Sequence, residues 1–354
     1  MVSDIHLQQF RSYTDALYEF GSGVNIIVGP NGCGKTNLLE ALLVLARAGS
    51  YRVPDSELLQ FTKEWLRLES HDENGETRVL KLQYKPQLQK SYLVAGKEYR
   101  RIPAAQLQPV VLFEPNHLQL LQGSPEGRRS YLDDMLEQTQ LGYAKIRRDY
   151  RRVLAQRNAL LKKYKMAESQ EFFPWDVRLS ELGAIISRAR NELVASLSLP
   201  LTELYTKISK SPTKVTVQYR SSFDIGSYET NLLQALEMKR HEDILRGFTT
   251  HGPHREDMVV LFDGHPAALV ASRGETRTTV LALKILELQK LEDATGQQPI
   301  LLLDDVFSEL DGARRRSLTA YLQRYQTFLT TTDADIAAKH FTDSTIIPLG
   351  DPSL

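Results

Sequence analysis

Cysteine is almost absent from this chain, with Cys33 the single example among 354 residues. One thiol excludes a disulfide framework. Net charge is missing as well, since 44 Lys and Arg stand against 44 Asp and Glu, so composition as a whole gives no reason to expect a polyanionic partner. No apolar run approaches the roughly 18 residues that a membrane-spanning helix requires. No charged-then-apolar N-terminal stretch reads as an export signal. The expectation is a soluble, cytoplasmic protein with no membrane partner. Internal repeats and low-complexity segments are also lacking, which excludes solenoids and tails. Hydrophobic residues at 42% and charged ones at 25% are ordinary for a globular protein. The length allows two or three domains.

What is present begins at residues 24–47. A short apolar run, Val24 to Val28, leads into a glycine-bearing loop and then into "TNLLEALLVLARAG", where Leu38, Leu42 and Leu45 are spaced for one helix face. Between them Gly29, Pro30, Asn31, Gly32, Cys33, Gly34, Lys35 and Thr36 fit G-x-x-x-x-G-K-[ST]. Glycine suits such a loop because backbone N–H groups must turn toward phosphate oxygens in conformations that a Cβ obstructs. Lys35 would reach the β and γ phosphates, and Thr36 would ligate Mg²⁺. The helix that follows aims its positive end at the anion. The competing reading is a glycine-rich structural turn.

Short β-like runs from Trp65 to Ile102 suggest a small antiparallel sheet. Residues 128–198 read as helical with one interruption near "SQEFFPW". Tyr143, Ile146, Tyr150, Val153, Leu160 and Tyr164 form a seam broken only by Arg157, and Leu179, Leu182, Ile186, Ala189 and Leu193 continue it after the turn. Two such helices make an antiparallel, coiled-coil-like hairpin. The first arm, Tyr143 to Lys165, would run on the order of 30 Å, long enough to project from a globular body. Past "TKVTVQYR" helices and strands alternate, which points to a parallel sheet covered by helices. The domains expected are 1–127, the first part of a nucleotide-binding body with a β lobe; 128–245, a helical lobe; and 246–354, the rest of that body.

A Mg²⁺–triphosphate site also needs a carboxylate at the end of a neighbouring strand. "ILLLDDVFSELD" supplies one: Asp304 ends four apolar residues and would hold the metal, while Asp305 is placed to polarise an attacking water. "ASRGE", at Ala271 to Glu275, precedes a helix and offers a hydroxyl with free backbone N–H groups. The plain alternative there is an ordinary helix cap.

Taken in order, the phosphate loop, "SRGE", the "LLLDD" strand end and "SELD" look like ATPase heads of the ABC and SMC class, an α/β fold. With "LQQFRSY" from Leu7, "LLQGSPEGRRSYLD" from Leu120 and "THGPHREDM" from Thr250, the blocks resemble the bacterial RecF family across nearly the whole chain. The resemblance implies an ATP-dependent homodimer in which Ser272 and Gly274 of one copy contact the γ-phosphate held by the other. Ser308 and Asp311 match a loop along that dimer seam, and Arg11 a position near the nucleotide. It also implies a role in DNA repair, replication and the SOS response, on double-stranded and gapped DNA, with recombination mediators and a recombinase as partners. Glu275 stands where most relatives carry glutamine, which adds a carboxylate beside a phosphate-receiving site. Asp305 stands where transporter ATPases usually have glutamate, and the shorter side chain argues for slow hydrolysis.

From Lys145 to Lys165 nine Lys or Arg face one Asp. Such a stripe can carry phosphate-backbone affinity in a chain of zero net charge. Arg147, Arg148, Arg151 and Arg152 are therefore candidate DNA contacts, with Arg128 and Arg129 beside them, and Arg78, Lys81, Lys85 and Lys97 of the β lobe behind. No recognition-helix or zinc pattern accompanies them, so binding without base readout is expected. His251 and His254 form H-x-x-H without a third ligand and read as structural.

Overall fold

The computed structural model describes residues 1–50, 52–163, 170–333, 341 and 344–350, apart from the side chains of residues 308 and 309. They fall into two compact units, 1–117 with 287–354 and 118–286. These boundaries differ from the 127/128 and 245/246 divisions expected from sequence. The helix Pro125–Thr139 packs on the strand Asp257–Phe262 and on the long helix Phe173–Ser209, which holds the segments on either side of those divisions in one body.

In the first unit, five parallel strands lie in the order Ser344–Pro348, Val24–Val28, Thr327–Thr331, Ile300–Leu303, Val110–Phe113. The central ones are buried along almost their whole length, as strands covered on both faces must be, although Asn25 and three threonines of Thr327–Thr331 are among the buried residues. A second sheet is antiparallel and six-stranded. The strands expected between Trp65 and Ile102 are joined there by Val2–Phe10 and Tyr13–Glu19, so the β lobe is larger than its own segment. The helix Lys35–Arg47 touches strands of both sheets. Burial of Leu38, Leu39, Ala41, Leu42, Leu43, Val44 and Leu45 on all its sides follows. Each buried leucine contributes about 1.5–3 kcal/mol, so a charge at Leu42 would break the layer. Gln326 joins segments 324 residues apart in sequence, its amide receiving the Val2 N–H at 2.8 Å and donating to the Val2 carbonyl at 2.6 Å.

In the second unit the helical stretch is interrupted twice rather than once. Gly142, at φ +89, separates Pro125–Thr139 from Tyr143–Lys163 before the expected break, and Phe173–Ser209 follows. Tyr164 and Lys165 lie outside the described residues. Arg157 pairs with Asp176, and Tyr150 meets Gly183. Later residues of the first helix thus face earlier residues of the second, an antiparallel pair. It is not a bare arm, because Tyr228–Met238 and the strand Val215–Arg220 also pack on Phe173–Ser209. Arg157, the break in the apolar seam, is fully buried. Its guanidinium reaches Asp176 at 2.6 Å, Asp243 at 2.7 Å, Thr249 Oγ1 at 2.8 Å and the Leu236 carbonyl at 3.1 Å. A charge sits in this core because two carboxylates face it and each of its three nitrogens donates at least one hydrogen bond.

Candidate nucleotide site

The phosphate loop connects the strand Val24–Val28 to the helix Lys35–Arg47. Gly34 begins the helix at φ +104, and a Cβ there would come within 2.9 Å of the Tyr13 hydroxyl, which donates to the Gly34 carbonyl. At Gly29 a Cβ would meet Cys33 Sγ at 2.6 Å and the Leu349 carbonyl at 2.8 Å. Two of the three loop glycines are therefore required by close approach. No side chain caps the helix and no acid lies in its first turn, so its positive end is left for an anion. Lys35 is buried and folds back over the loop, donating to the carbonyls of Gly29 at 2.8 Å and Pro30 at 2.9 Å.

Thr36 and Asp304, 268 residues apart in sequence, meet: the hydroxyl lies 2.9 Å from one carboxylate oxygen and 3.0 Å from the other. Their strands are not neighbours, contrary to the expectation of an adjacent strand. Thr327–Thr331 runs between them. That strand contributes Thr330, whose hydroxyl donates to Asp304 at 2.9 Å and accepts the Asp305 backbone N–H at 2.9 Å. Asp305 sits in the left-handed region at φ 52. Burial pushes its carboxyl above the ordinary range, the neighbouring Asp304 charge adds to this, and Lys35 opposes it. A base raised in this way accepts a proton more readily.

Two further groups reach Asp304. Leu303 is paired with Phe113 in the parallel ladder, so Glu114, the residue after Phe113, also follows the end of its strand. Arg52 bridges them, with one nitrogen 2.6 Å from Glu114 and 3.1 Å from Asp304. Arg11 is turned onto the loop helix, where it forks onto Glu40 at 2.9 and 3.1 Å. Glu114 had a sequence signal, an acid directly after four apolar strand residues as at Asp304. Thr330 and Arg52 had none.

The other candidates have settled surroundings. Ser272 and Gly274 belong to the second unit. The Ser272 N–H donates to the Glu275 carboxylate at 2.8 Å while the Glu275 N–H donates to the Ser272 hydroxyl at 3.3 Å, a reciprocal capping box. The carboxylate expected to disturb a phosphate site is thus held to the helix start. Asp311 caps the helix Gly312–Leu322, and the Arg314 N–H holds its carboxyl below the ordinary range. The side chain of Ser308 lies outside the described set. Arg128 is locked on Asp257 at 2.7 Å, Arg129 donates to the Glu256 carbonyl at 2.8 Å, and Arg147 is paired with Asp133, Asp134 and Glu137. These three arginines hold the unit together and are not free phosphate contacts. Arg148, Arg151 and Arg152 are exposed, as are Lys81, Lys85 and Lys97, whereas Arg78 donates to the Gln106 carbonyl. His254 is fixed between the Tyr150 hydroxyl and the Thr249 carbonyl. Among the described residues no group of three or more His, Cys, Asp or Glu is arranged to hold a metal, and no helix is long and apolar enough to cross a membrane.

A family profile described as RecF/RecN/SMC N terminal domain matches residues 1–345. A protein of Heliobacterium modesticaldum named DNA replication and repair protein RecF is 35% identical, over 94% of this chain and 92% of its own length. The chain belongs to the RecF family. A Moorella thermoacetica RecF of the same description is 36% identical over 95% of this chain and 90% of its own. Among solved structures, the recombination mediator protein RecF-ATPrS in the RecFOR pathway superposes on this RecF-family chain with a TM-score of 0.86 at 31% identity, covering 95% of this chain and 93% of that one. An SMC head bound to the C-winged helix domain of ScpA, at 14% identity and TM-score 0.52, shares the fold. The architecture is an ABC/SMC-like head.

Proposed function

We propose that this RecF-family chain is an ATP-dependent DNA-binding switch of recombination repair and replication. The observation that carries the reading is the convergence of Thr36 and Asp304 behind an uncapped phosphate-loop helix. Solved relatives, described as RecF-ATPrS and RecF-ATP in the RecFOR pathway, support the nucleotide and the pathway. The donor set fits Mg²⁺, because a threonine hydroxyl and one carboxylate are hard oxygen ligands of the kind that ion takes beside substrate phosphates. Thr36 and Asp304 would hold it, and it would neutralise phosphate charge. Lys35 would move from the Gly29 and Pro30 carbonyls to the phosphates, and Asp305 would orient the attacking water.

In this reading two copies close on ATP, each completing the other's site with Ser272 and Gly274, and with Ser308 and Asp311 along the seam. The closed homodimer grips double-stranded DNA near single-stranded gaps, where mediator proteins load recombinase in the cytoplasm, and the SOS response follows. The short Asp305 side chain makes hydrolysis slow, so turnover times release. Sedimentation with ATP and gapped DNA, comparing wild type with Lys35→Met and Ser272→Arg, tests this. Lys35→Met should lose nucleotide, and Ser272→Arg should bind nucleotide yet stay monomeric. A Ser272→Arg protein that dimerises like wild type refutes the sandwich, and DNA binding unaffected by either change refutes the switch.

A further inference from the structure

We propose that Arg52 is a tethered stand-in for the divalent cation, occupying Asp304 and Glu114 until metal arrives and leaving Asp304 when it does. The two carboxylates follow the ends of adjacent parallel strands whose last residues, Leu303 and Phe113, are paired. Both side chains are nearly buried, at 9% and 8% exposure. Like charges held so close in low dielectric need a cation between them. One Arg52 nitrogen supplies it, bridging them at 2.6 and 3.1 Å. A divalent ion at Asp304 and a guanidinium on the same carboxylate repel each other, so arrival and departure are one exchange.

The fold gives Arg52 room to leave. It lies outside regular secondary structure, beyond the end of the phosphate-loop helix, and its side chain keeps 29% exposure. The loop itself is pinned one step away: Ser50 Oγ receives the Arg52 N–H at 3.0 Å and donates to Glu40 on that helix at 2.5 Å. The side chain can therefore swing while the backbone stays. The consequence is ordering of ligands. Without phosphates, metal competes against a built-in cation and binds weakly; phosphate charge tips the exchange, so metal enters with the nucleotide. That last step rests on the function proposed above, whereas the competition itself does not.

Titration of nucleotide-free protein with Mn²⁺, followed by the electron paramagnetic resonance of the free ion, separates the two. Arg52→Gln should bind about tenfold more tightly than wild type, the scale of one lost charge-assisted contact. Arg52→Met, which keeps the apolar stem, should do the same and serves if the glutamine variant folds poorly. Adding Glu114→Gln should remove the gain. Single variants that bind Mn²⁺ no more tightly than wild type overturn the proposal, as does a gain that survives Glu114→Gln. A wild-type protein that binds no fluorescent ATP analogue refutes the proposed function while leaving the Mn²⁺ comparison intact.

Discussion

Thr330→Val tests whether the middle strand sets the chemistry. Valine keeps the shape and removes one hydroxyl that donates to Asp304 and accepts the Asp305 N–H, each at 2.9 Å, and also reaches the Leu303 carbonyl at 3.4 Å. A part-buried N–H left without an acceptor costs about 1–3 kcal/mol. Asp305 already holds a left-handed conformation, φ 52, which costs a non-glycine residue about 1 kcal/mol. Unpinned, the backbone relaxes toward ordinary φ and the carboxylate leaves its position for most of the time. A loss of about 1.4–2.8 kcal/mol in placement lowers single-turnover ATP hydrolysis about 10–100-fold. Binding of a fluorescent ATP analogue should change by less than about threefold, because Gly29 to Lys35 are untouched. Thr330→Ser, which retains the hydroxyl, should hydrolyse at close to the wild-type rate. The reasoning fails if valine slows turnover less than twofold, or if serine and valine slow it equally.

Replacing Arg157 with Leu leaves Asp243 buried without its cation and Asp176 with Arg240 alone, a loss of about 3–5 kcal/mol. Thermal melts should fall by about 6–20 °C, and Arg157→Lys should not rescue, since one ammonium cannot reach four partners. Burial lowers His254 from 6.5 to about 4, so the folded protein keeps it neutral where the unfolded chain takes up a proton. Its contribution to stability is present above pH 6.5 and is lost as pH falls from there toward 4, by up to about 3 kcal/mol. Urea melts at pH 7 and pH 5 should show a smaller loss in His254→Gln than in wild type. Arg148, Arg151 and Arg152 changed together to Glu should weaken duplex binding and flatten its salt dependence, read by fluorescence anisotropy across a salt series. Arg128→Glu should instead lower the melting temperature, because it breaks the Asp257 pair.

The phosphate loop and Asp304 were legible because backbone geometry dictates their residue types: glycine where a Cβ has no room, an acid where an apolar strand stops. Strand and helix periods placed most elements for a similar reason, since Leu38 or Leu302 must be buried wherever the chain goes. Thr330 and Arg52 were illegible because their roles come from which strands become neighbours, a property of the sheet order and not of any local pattern. The basic stripe misled in part. Arg128, Arg129 and Arg147 carry the same side chain as Arg148 and Arg151, and only the acids and carbonyls opposite, contributed by distant segments, separate a structural arginine from an exposed one. The second break, at Gly142, was hidden by a helical pattern that resumed in register.

The order of strands in the parallel sheet also sets a timetable. Val24–Val28 leaves the ribosome early, but its neighbours in the sheet are Thr327–Thr331 and Ser344–Pro348. At about 5–20 residues per second the phosphate loop waits roughly a quarter of a minute to a minute for Asp304. During that interval the 118–286 unit, contiguous in sequence, can complete itself. A nascent chain therefore owns a glycine loop long before Asp304 and the strand Thr327–Thr331 are there to join it.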